Sequence, residues 1–150
     1  MSSLHVRVAT LEDIPSLCEL LNQLFSQEVE FTPQKHLQEK GLKAIMENPT
    51  VGIILVAIIE QKIVGMLNLL FTIFTALGGW VILLEDMIVD EAHRDKKIGS
   101  ALLSEAKKYA KEHGFLRITL LSDFDNDKAH AFYERHGFID SPRKVFTCKL

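Results

Sequence analysis

Two neighbouring carboxylates, Glu85 and Asp86, interrupt an otherwise apolar run of the sequence. Burying an ionised carboxylate is costly unless it is paired or used in chemistry, so either residue could accept a proton from a substrate. Because adjacent residues of a strand face opposite sides of a sheet, we expect at most one of them to face a reaction centre. Glu85 is the first choice and Asp86 the second. An ion pair with a lysine or arginine at the sheet end explains either residue equally well.

A basic turn at residues 94–99 follows this run and leads directly into a predicted helix. The first N–H groups of a helix have no helical acceptor, and together with the helix dipole they bind phosphate. Arg94, Lys96 and Lys97 add positive charge, and Gly99 removes a Cβ where an anion would approach. Solvated basic side chains and a packing role for Gly99 explain the turn equally well. Its spacing matches neither GxGxxG nor GxxxxGK[ST], so dinucleotide and nucleoside-triphosphate sites lose support.

A third group of residues lies at 126–138. Ala129, Phe132 and Tyr133 are three and four positions apart and share one face of a predicted helix. A tyrosine hydroxyl on that face could donate a proton to a leaving group. The alternative is a buried aromatic ring whose hydroxyl is satisfied at the rim. Asn126 could cap the helix or hydrogen-bond a ligand, and the sequence leaves both interpretations open.

Apolar periodicity predicts the elements that must position these groups. Strands are expected at residues 4–8, 53–59, 63–74, 80–89, 117–121 and 145–150, and helices near residues 10–25, 33–46, 98–113 and 127–136. The order β-α-α-β-β-β-α-β-α-β predicts an α/β fold of the α+β type. We expect a mixed, largely antiparallel central sheet of about six to seven strands with helices on both faces. The strand–helix–strand unit at 80–121 requires a right-handed crossover and a parallel pair.

Length, charge and cysteine usage exclude several classes of protein. The 150 residues suit one domain, expected to span residues 1–150. A net charge of −3 gives no reason to expect nucleic acid as a partner. Cys18 and Cys148 lie far apart and belong to no Cys/His cluster, so we expect no metal site, and reduced thiols in a cytoplasmic protein. Residues 63–84 carry no charge, but Asn68 and the Gly78-Gly79 pair favour two buried strands over a membrane helix.

Two of these segments together resemble the GNAT superfamily of acyl-CoA N-acyltransferases. Residues 94–99 resemble its pyrophosphate loop, Gln/Arg-x-x-Gly-x-Gly/Ala, with Arg94 and Gly99 at the outer positions. Lys97 replaces the middle glycine, and we expect it to be tolerated if its backbone is already helical. Residues 126–138 resemble the second signature, Asn-x-x-Ala-x-x-Phe-Tyr-x-x-x-Gly-Phe, at every specified position. The order of elements agrees with the family over essentially the whole chain.

The resemblance implies an acetyl-CoA-dependent N-acetyltransferase in which a primary amine attacks the thioester directly in a ternary complex. It implies a base or a water relay at Glu85 or Asp86, an oxyanion held by a backbone N–H near Ile88, and Tyr133 beside the leaving thiolate. The coenzyme-binding residues that it implies are Met87, Ile88, Val89, Arg94, Asp95, Lys96, Lys97, Ile98, Gly99, Ser100, Asn126, Ala129, Phe132 and Tyr133.

The acceptor is expected to be a small-molecule or protein amine. Gln27, Glu28 and Glu30 fall between the first two helices, which border the acceptor site in the family, and their carboxylates suit a cationic amine. One alternative is a CoA-binding or sensing module with weak or no turnover, which Lys97 favours. Another is a phosphate-anchored protein-interaction domain that binds no CoA. The apolar strands and the C-terminal segment permit a homodimer.

Overall fold

A computed structural model describes residues 3–27 and 34–150, and within them five strands form one sheet in sequence order. The strands are β1 (Leu4–Val8), β2 (Gly52–Ile59), β3 (Lys62–Phe74), β4 (Gly79–Val89) and β5 (Ile118–Leu120). The helices are α1 (Ile14–Gln27), α2 (Lys35–Met46), α3 (Ile98–Glu112) and α4 (Asp127–Arg135). Short 3₁₀ turns at Leu11–Asp13 and Glu91–His93 precede α1 and α3.

The sheet is mixed and largely antiparallel, as predicted. Strands β1 to β4 pair antiparallel with their neighbours, while β5 pairs parallel to β4 after the α3 crossover. The β2–β3 hairpin turns at Glu60 and Gln61, which have φ values of +51° and +65°. Two consecutive left-handed residues match the twist of the flanking strands, and this explains so short a connection.

Helices cover both faces of the sheet, which confirms the predicted layers. On one face, Leu17 and Leu21 of α1 and Leu42 of α2 pack against Val56 and Met66. On the other face, α3 presents a stripe of apolar residues to β3 and β4, formed by Ile98, Leu102, Leu103, Ala106 and Ala110. Each fully buried leucine contributes about 1.5–3 kcal/mol relative to an exposed one. The sheet is therefore a rigid support between two apolar layers.

The predicted final strand at residues 145–150 is wrong, and the sheet has five strands instead of six to seven. Val145 and Phe146 are 63% and 92% exposed, and residues 139–150 form no backbone hydrogen bond with the described part of the chain. A segment is a strand only when it pairs with a neighbouring strand, and residues 145–150 pair with none in the described chain. For the same reason β5 is a half-buried edge and not the buried strand that its composition predicts.

The uncharged run at residues 63–84 forms most of β3 and the first half of β4. This confirms the prediction of two strands. No helix among residues 3–27 and 34–150 is long and apolar enough to cross a membrane.

Candidate active site

Strand β4 carries a bulge in its second half. The β3–β4 register shifts between Met66 and Asn68, because β4 has one more residue than β3 opposite Leu67. Asp86 lies in this segment with φ of +53°, in the left-handed region. A bulge of this kind bends the strand and changes which face its side chains reach.

The bulge brings both carboxylates to one side of the sheet. Ile82 and Leu84 pack toward α3 before the bulge, and Met87 packs on that same face after it. Glu85 and Asp86 both line a single cavity on the opposite face. The expectation that these adjacent side chains would face opposite sides of the sheet is therefore wrong, because strict alternation holds only in a regular strand.

The cavity beside these carboxylates has a volume of about 380 Å³ and is bounded by α1, α2, β3 and β4. Asn68 lines it while being only 3% exposed, and its Nδ2 donates a hydrogen bond of 2.7 Å to Asp86 Oδ2. A buried amide is thus one hydrogen-bond donor to Asp86. In the sequence, Asn68 stands out only as a polar residue within an uncharged run, and its function could not be inferred from that.

The sheet opens next to this cavity. Pairing between β4 and β5 ends at Leu84 and Leu120, whereas β4 continues to Val89. In the described chain, the β5-side edge of β4 has no strand partner over residues 85–89. Unpaired strand edges offer N–H and C=O groups to an extended ligand. Met87, Ile88 and Val89, predicted to bind pantetheine, lie along this opening.

The basic turn forms the start of α3 on the other side of the opening. The first helical hydrogen bond runs from the Ala101 N–H to the Lys97 carbonyl at 3.1 Å. The N–H groups of Ile98, Gly99 and Ser100 consequently have no acceptor within the helix. Arg94, Asp95, Lys96 and Lys97 are exposed, whereas Ile98 is buried in the core and anchors the turn.

Lys97 has a left-handed backbone, with φ of +62° and ψ of +19°. A right-handed helical backbone, the condition under which Lys97 was expected to be tolerated, is therefore absent. This conformation costs about 1–2 kcal/mol for a residue with a Cβ and nothing comparable for glycine. The same geometry explains why the resembling loop pattern has glycine at this position.

Gly99 is a packing position in this structure. A Cβ built on it would lie 3.1 Å from Phe132 Cζ and 3.2 Å from Met87 Cε. Both contacts are tighter than ordinary van der Waals separation. The absence of a side chain therefore allows α4 and the bulged part of β4 to approach the first turn of α3.

Helix α4 completes this side of the opening. Asn126 caps it, because its Oδ1 accepts a hydrogen bond of 3.2 Å from the Ala129 N–H. Phe132 and Tyr133 pack against the α3-side core. Burial raises the pKa of the Tyr133 hydroxyl, which therefore stays protonated at neutral pH. Among the described residues, the Tyr133 hydroxyl has no hydrogen-bond partner.

Two contacts that the sequence did not predict hold the site together. Ser100 Oγ and His136 Nε2 are 2.9 Å apart, and the Lys107 ammonium donates to the His136 carbonyl. Burial, followed by the charges of Lys107 and Arg135, lowers the pKa of His136. These contacts join α3 to the end of α4.

On the other face, Gln23 of α1 binds the turn after β4. Its Nε2 donates to Asp90 Oδ1 at 2.9 Å, and its Oε1 accepts from the Glu91 N–H at 3.2 Å. The hydrogen bonds from Gln23 and His93 lower the pKa of Asp90. Gln23 is separated from Asp90 by 67 positions, so no local pattern could have indicated the contact.

Residues 14–138 match the acetyltransferase (GNAT) family. This chain belongs to that family. It is 32% identical over 148 residues to the uncharacterized N-acetyltransferase YhfO of Bacillus subtilis (strain 168), covering 97% of this chain and 96% of that one. It is 28% identical over 137 residues to the aminoalkylphosphonate N-acetyltransferase of Salmonella typhimurium, covering 91% of this chain and 86% of that one.

The GNAT fold is also found in solved structures. A possible acetyltransferase from Clostridium difficile 630 superposes with a TM-score of 0.88 at 18% identity, covering 98% of this chain and 97% of that one. At such low identity the likeness shows the fold alone.

The polar segment predicted to border the acceptor site lies largely beyond the described residues. Gln27 ends α1, and both Glu28 and Glu30 fall in the undescribed stretch.

Proposed function

We propose that this chain transfers the acetyl group of acetyl-CoA to a primary amine by direct attack in a ternary complex. The observation that carries the proposal is the opening between β4 and β5. It has the carboxylates Glu85 and Asp86 on one face of the sheet and a phosphate-binding helix start on the other. One substrate can therefore approach from each side of the sheet.

The residues present fit the coenzyme. The N–H groups of Ile98, Gly99 and Ser100 suit a pyrophosphate, and exposed Arg94 and Lys96 add positive charge beside them. The unpaired edge of β4 suits an extended amide-containing arm such as pantetheine. Acetyl-CoA supplies the activated acyl group when it is bound.

The residues of the chain divide the proton transfers between the two faces. Glu85 or Asp86, directly or through water, takes the proton that the amine must lose to form an amide. A backbone N–H near Ile88 polarises the developing oxyanion. The neutral hydroxyl of Tyr133 donates its hydrogen bond or proton toward the departing thiolate, which the raised pKa allows because the hydroxyl keeps its proton.

The decisive experiment measures CoA binding by calorimetry and thiol release from acetyl-CoA with a panel of amines. We expect binding, and turnover with at least one amine. Tyr133→Phe should lower kcat by roughly 100-fold, the lower range of general acid–base contributions. Tyr109→Phe is the matched control, because Tyr109 is the only other tyrosine in the sequence and lies on α3, where it stacks on Phe71 of β3.

Two results contradict the proposal. Binding of CoA without turnover for any amine supports the alternative of a CoA-binding or sensing module. Absence of CoA binding supports a protein-interaction domain anchored by phosphate. Equal turnover by Tyr133→Phe and wild type removes Tyr133 from the mechanism and leaves the transfer reaction itself in place.

A further inference from the structure

Residues 143–150 form an exposed arm whose composition favours a β-strand. Every residue of the arm is exposed, and Phe146 is 92% exposed. The apolar side chains of Phe146, Cys148 and Leu150 occupy every second position, which is the period of a strand. Valine, phenylalanine and threonine, the third to fifth residues of the arm, are also types that prefer strands. Exposed apolar segments of this kind mark surfaces that bind a partner.

Strand β5 has a free edge that suits such a segment. Its other edge pairs with β4, where the Ile82 N–H donates to the Arg117 carbonyl at 2.8 Å. Successive residues of a strand turn their backbone groups to alternate sides, so those of Ile118 and Leu120 face away from β4. In the described chain no strand pairs with β5 on that side. Free N–H and C=O groups along an edge are a template for one added strand.

Apolar side chains flank this edge on the α3 side of the sheet. Ile118 and Leu120 pack against the α3-side core but are only half-buried. An added strand that turns Phe146 and Cys148 to the same face would continue the apolar layer beyond β5. The arm therefore supplies the alternation of side chains that the free edge lacks.

Opposite charges mark the arm and the loop that follows β5. The arm has three basic side chains and no acidic one, namely Arg143, Lys144 and Lys149. Residues 121–127 have three acidic side chains and no basic one, namely Asp123, Asp125 and Asp127. None of these six side chains forms an ion pair within the described residues. An arm antiparallel to β5 would begin beside this loop, so its first two basic residues would meet the acidic ones.

The arm does not pair with β5 of its own chain. Residues 139–150 form no backbone hydrogen bond with the described part of the chain. Pro142 fixes its own φ and favours an extended backbone at Ser141, so the arm leaves the end of α4 through a stiff link. When each copy of a chain has a free arm and a free edge, a twofold exchange pairs both at once and closes the assembly. A second copy of this chain is therefore the partner that fits.

We propose that two copies of this chain form a twofold dimer in which residues 143–150 of each copy pair antiparallel with the free edge of β5 in the other. The exchange extends each sheet by one strand. Phe146 covers the apolar surface beside β5, and Arg143 and Lys144 meet the aspartates that follow β5. Acetyl transfer does not enter this proposal, because the pairing uses no residue assigned to either substrate.

The first test measures the mass of the protein by analytical ultracentrifugation, with a reductant present so that Cys148 cannot form a disulfide. At about 50 µM protein we expect the wild type to have twice the 17.0 kDa of one chain. Thr147→Pro combined with Cys148→Pro removes two successive N–H groups, one of which faces β5 in either register. This double variant should raise the dimer Kd by at least about tenfold, as for lost backbone pairing.

The matched control for the proline pair is Thr147→Val combined with Cys148→Val, which keeps both N–H groups and the strand preference. This variant should remain dimeric. Both positions are exposed and make no backbone hydrogen bond, so neither double variant disturbs the fold of one chain.

The second test exchanges the charges of the arm and the loop. Arg143→Glu combined with Lys144→Glu should raise the dimer Kd by at least about tenfold, because like charges would then face each other. Adding Asp123→Lys and Asp125→Lys should restore the dimer, and about 1 M NaCl should reduce this rescue by screening. Lys108→Glu combined with Lys111→Glu is the control for net charge, because both lysines are exposed on α3.

Three results overturn the proposal. A wild type that stays monomeric excludes the exchange, and protection of the arm amides from hydrogen exchange in that monomer would show pairing within one chain. A dimer that the proline pair leaves unchanged has its interface elsewhere. A dimer that the reversed charges fail to restore does not hold the arm beside the loop after β5.

Discussion

Ser100 Oγ lies 2.9 Å from His136 Nε2, and this contact joins the first turn of α3 to the residue directly after α4. Ser100 carries one of the free N–H groups proposed for the pyrophosphate. Phe132 lies four positions before His136, and the centroid of its ring is 4.8 Å from the centroid of the imidazole. The first turn of α3 is therefore joined to the end of the helix that carries Tyr133 by a hydroxyl–imidazole pair, which acts together with the Lys107 contact to the His136 carbonyl.

The stability of the protein should depend on the charge of His136. Its pKa lies below the ordinary 6.5, chiefly because of burial, so the fold favours the neutral imidazole. The stabilisation is complete above 6.5 and is lost as the pH falls from 6.5 toward the folded-state pKa. Thermal melting from pH 7.5 to 5 should therefore show a steeper loss of Tm for wild type than for His136→Gln. Parallel curves for the two proteins would contradict this assignment.

Lys97→Gly should stabilise the fold by about 1 kcal/mol, since glycine adopts the left-handed conformation without the Cβ clash. The net gain is limited by the greater freedom of glycine in the unfolded chain. Lys97→Ala removes the same ammonium but keeps a Cβ, and we expect it to gain nothing. Urea unfolding of the three proteins measures the difference. A gain shared by both variants would attribute the effect to charge and not to the backbone.

Gly99→Ala should couple energetically to Phe132. The new methyl group would lie 3.1 Å from the Phe132 ring, so either the ring or α4 must shift. Overpacking of this kind costs about 1–3 kcal/mol, partly offset by the better helix propensity of alanine. The Phe132→Leu background should relieve it, and a double-mutant cycle on unfolding free energy should show coupling of at least about 0.5 kcal/mol. Additive effects would mean that the two residues do not meet in solution.

Gln23→Leu should destabilise the protein at neutral pH by about 1.5–3 kcal/mol, the range for a hydrogen bond to a charged group. The pKa of Asp90 is lowered by that bond, so its stabilisation is present above the ordinary value of 3.8 and is lost as the pH falls through the folded-state pKa. Urea unfolding at pH 7 and pH 3 should give a smaller difference at the lower pH. A difference independent of pH would show that Gln23 acts through packing alone.

Most elements could be predicted from the sequence because the signals are local. The hairpin turn, the apolar stripe of α3 and the cap at Asn126 each depend on residues within a few positions of one another. The predicted bounds of β1 agree with the structure, and those of α4 differ by one residue. Local patterns also located the basic turn at the start of α3, and its phosphate binding stays a prediction.

The features that could not be predicted depend on pairing between distant segments. The family resemblance implies a bulge near Met87, Ile88 and Val89, but no glycine marks it at Asp86, and its position is set by the register with β3. Residues 145–150 have the composition of a strand but pair with no strand in the described chain. Asn68 and Asp86 are 18 positions apart, so the Asn68 amide can donate to Asp86 only once β3 and β4 are aligned.

The extra residue in β4 also limits how this protein can evolve. Substitutions at Glu85 and Asp86 change the chemistry of the cavity between α1, α2 and the sheet without changing the number of residues in the strand. Deletion of Asp86 would instead restore regular alternation with Met87 and Val89 still on the α3 side, and would remove one of the two carboxylates from the opposite face. Among homologues, the number of residues in this segment should therefore be preserved even where their identities diverge with the acceptor.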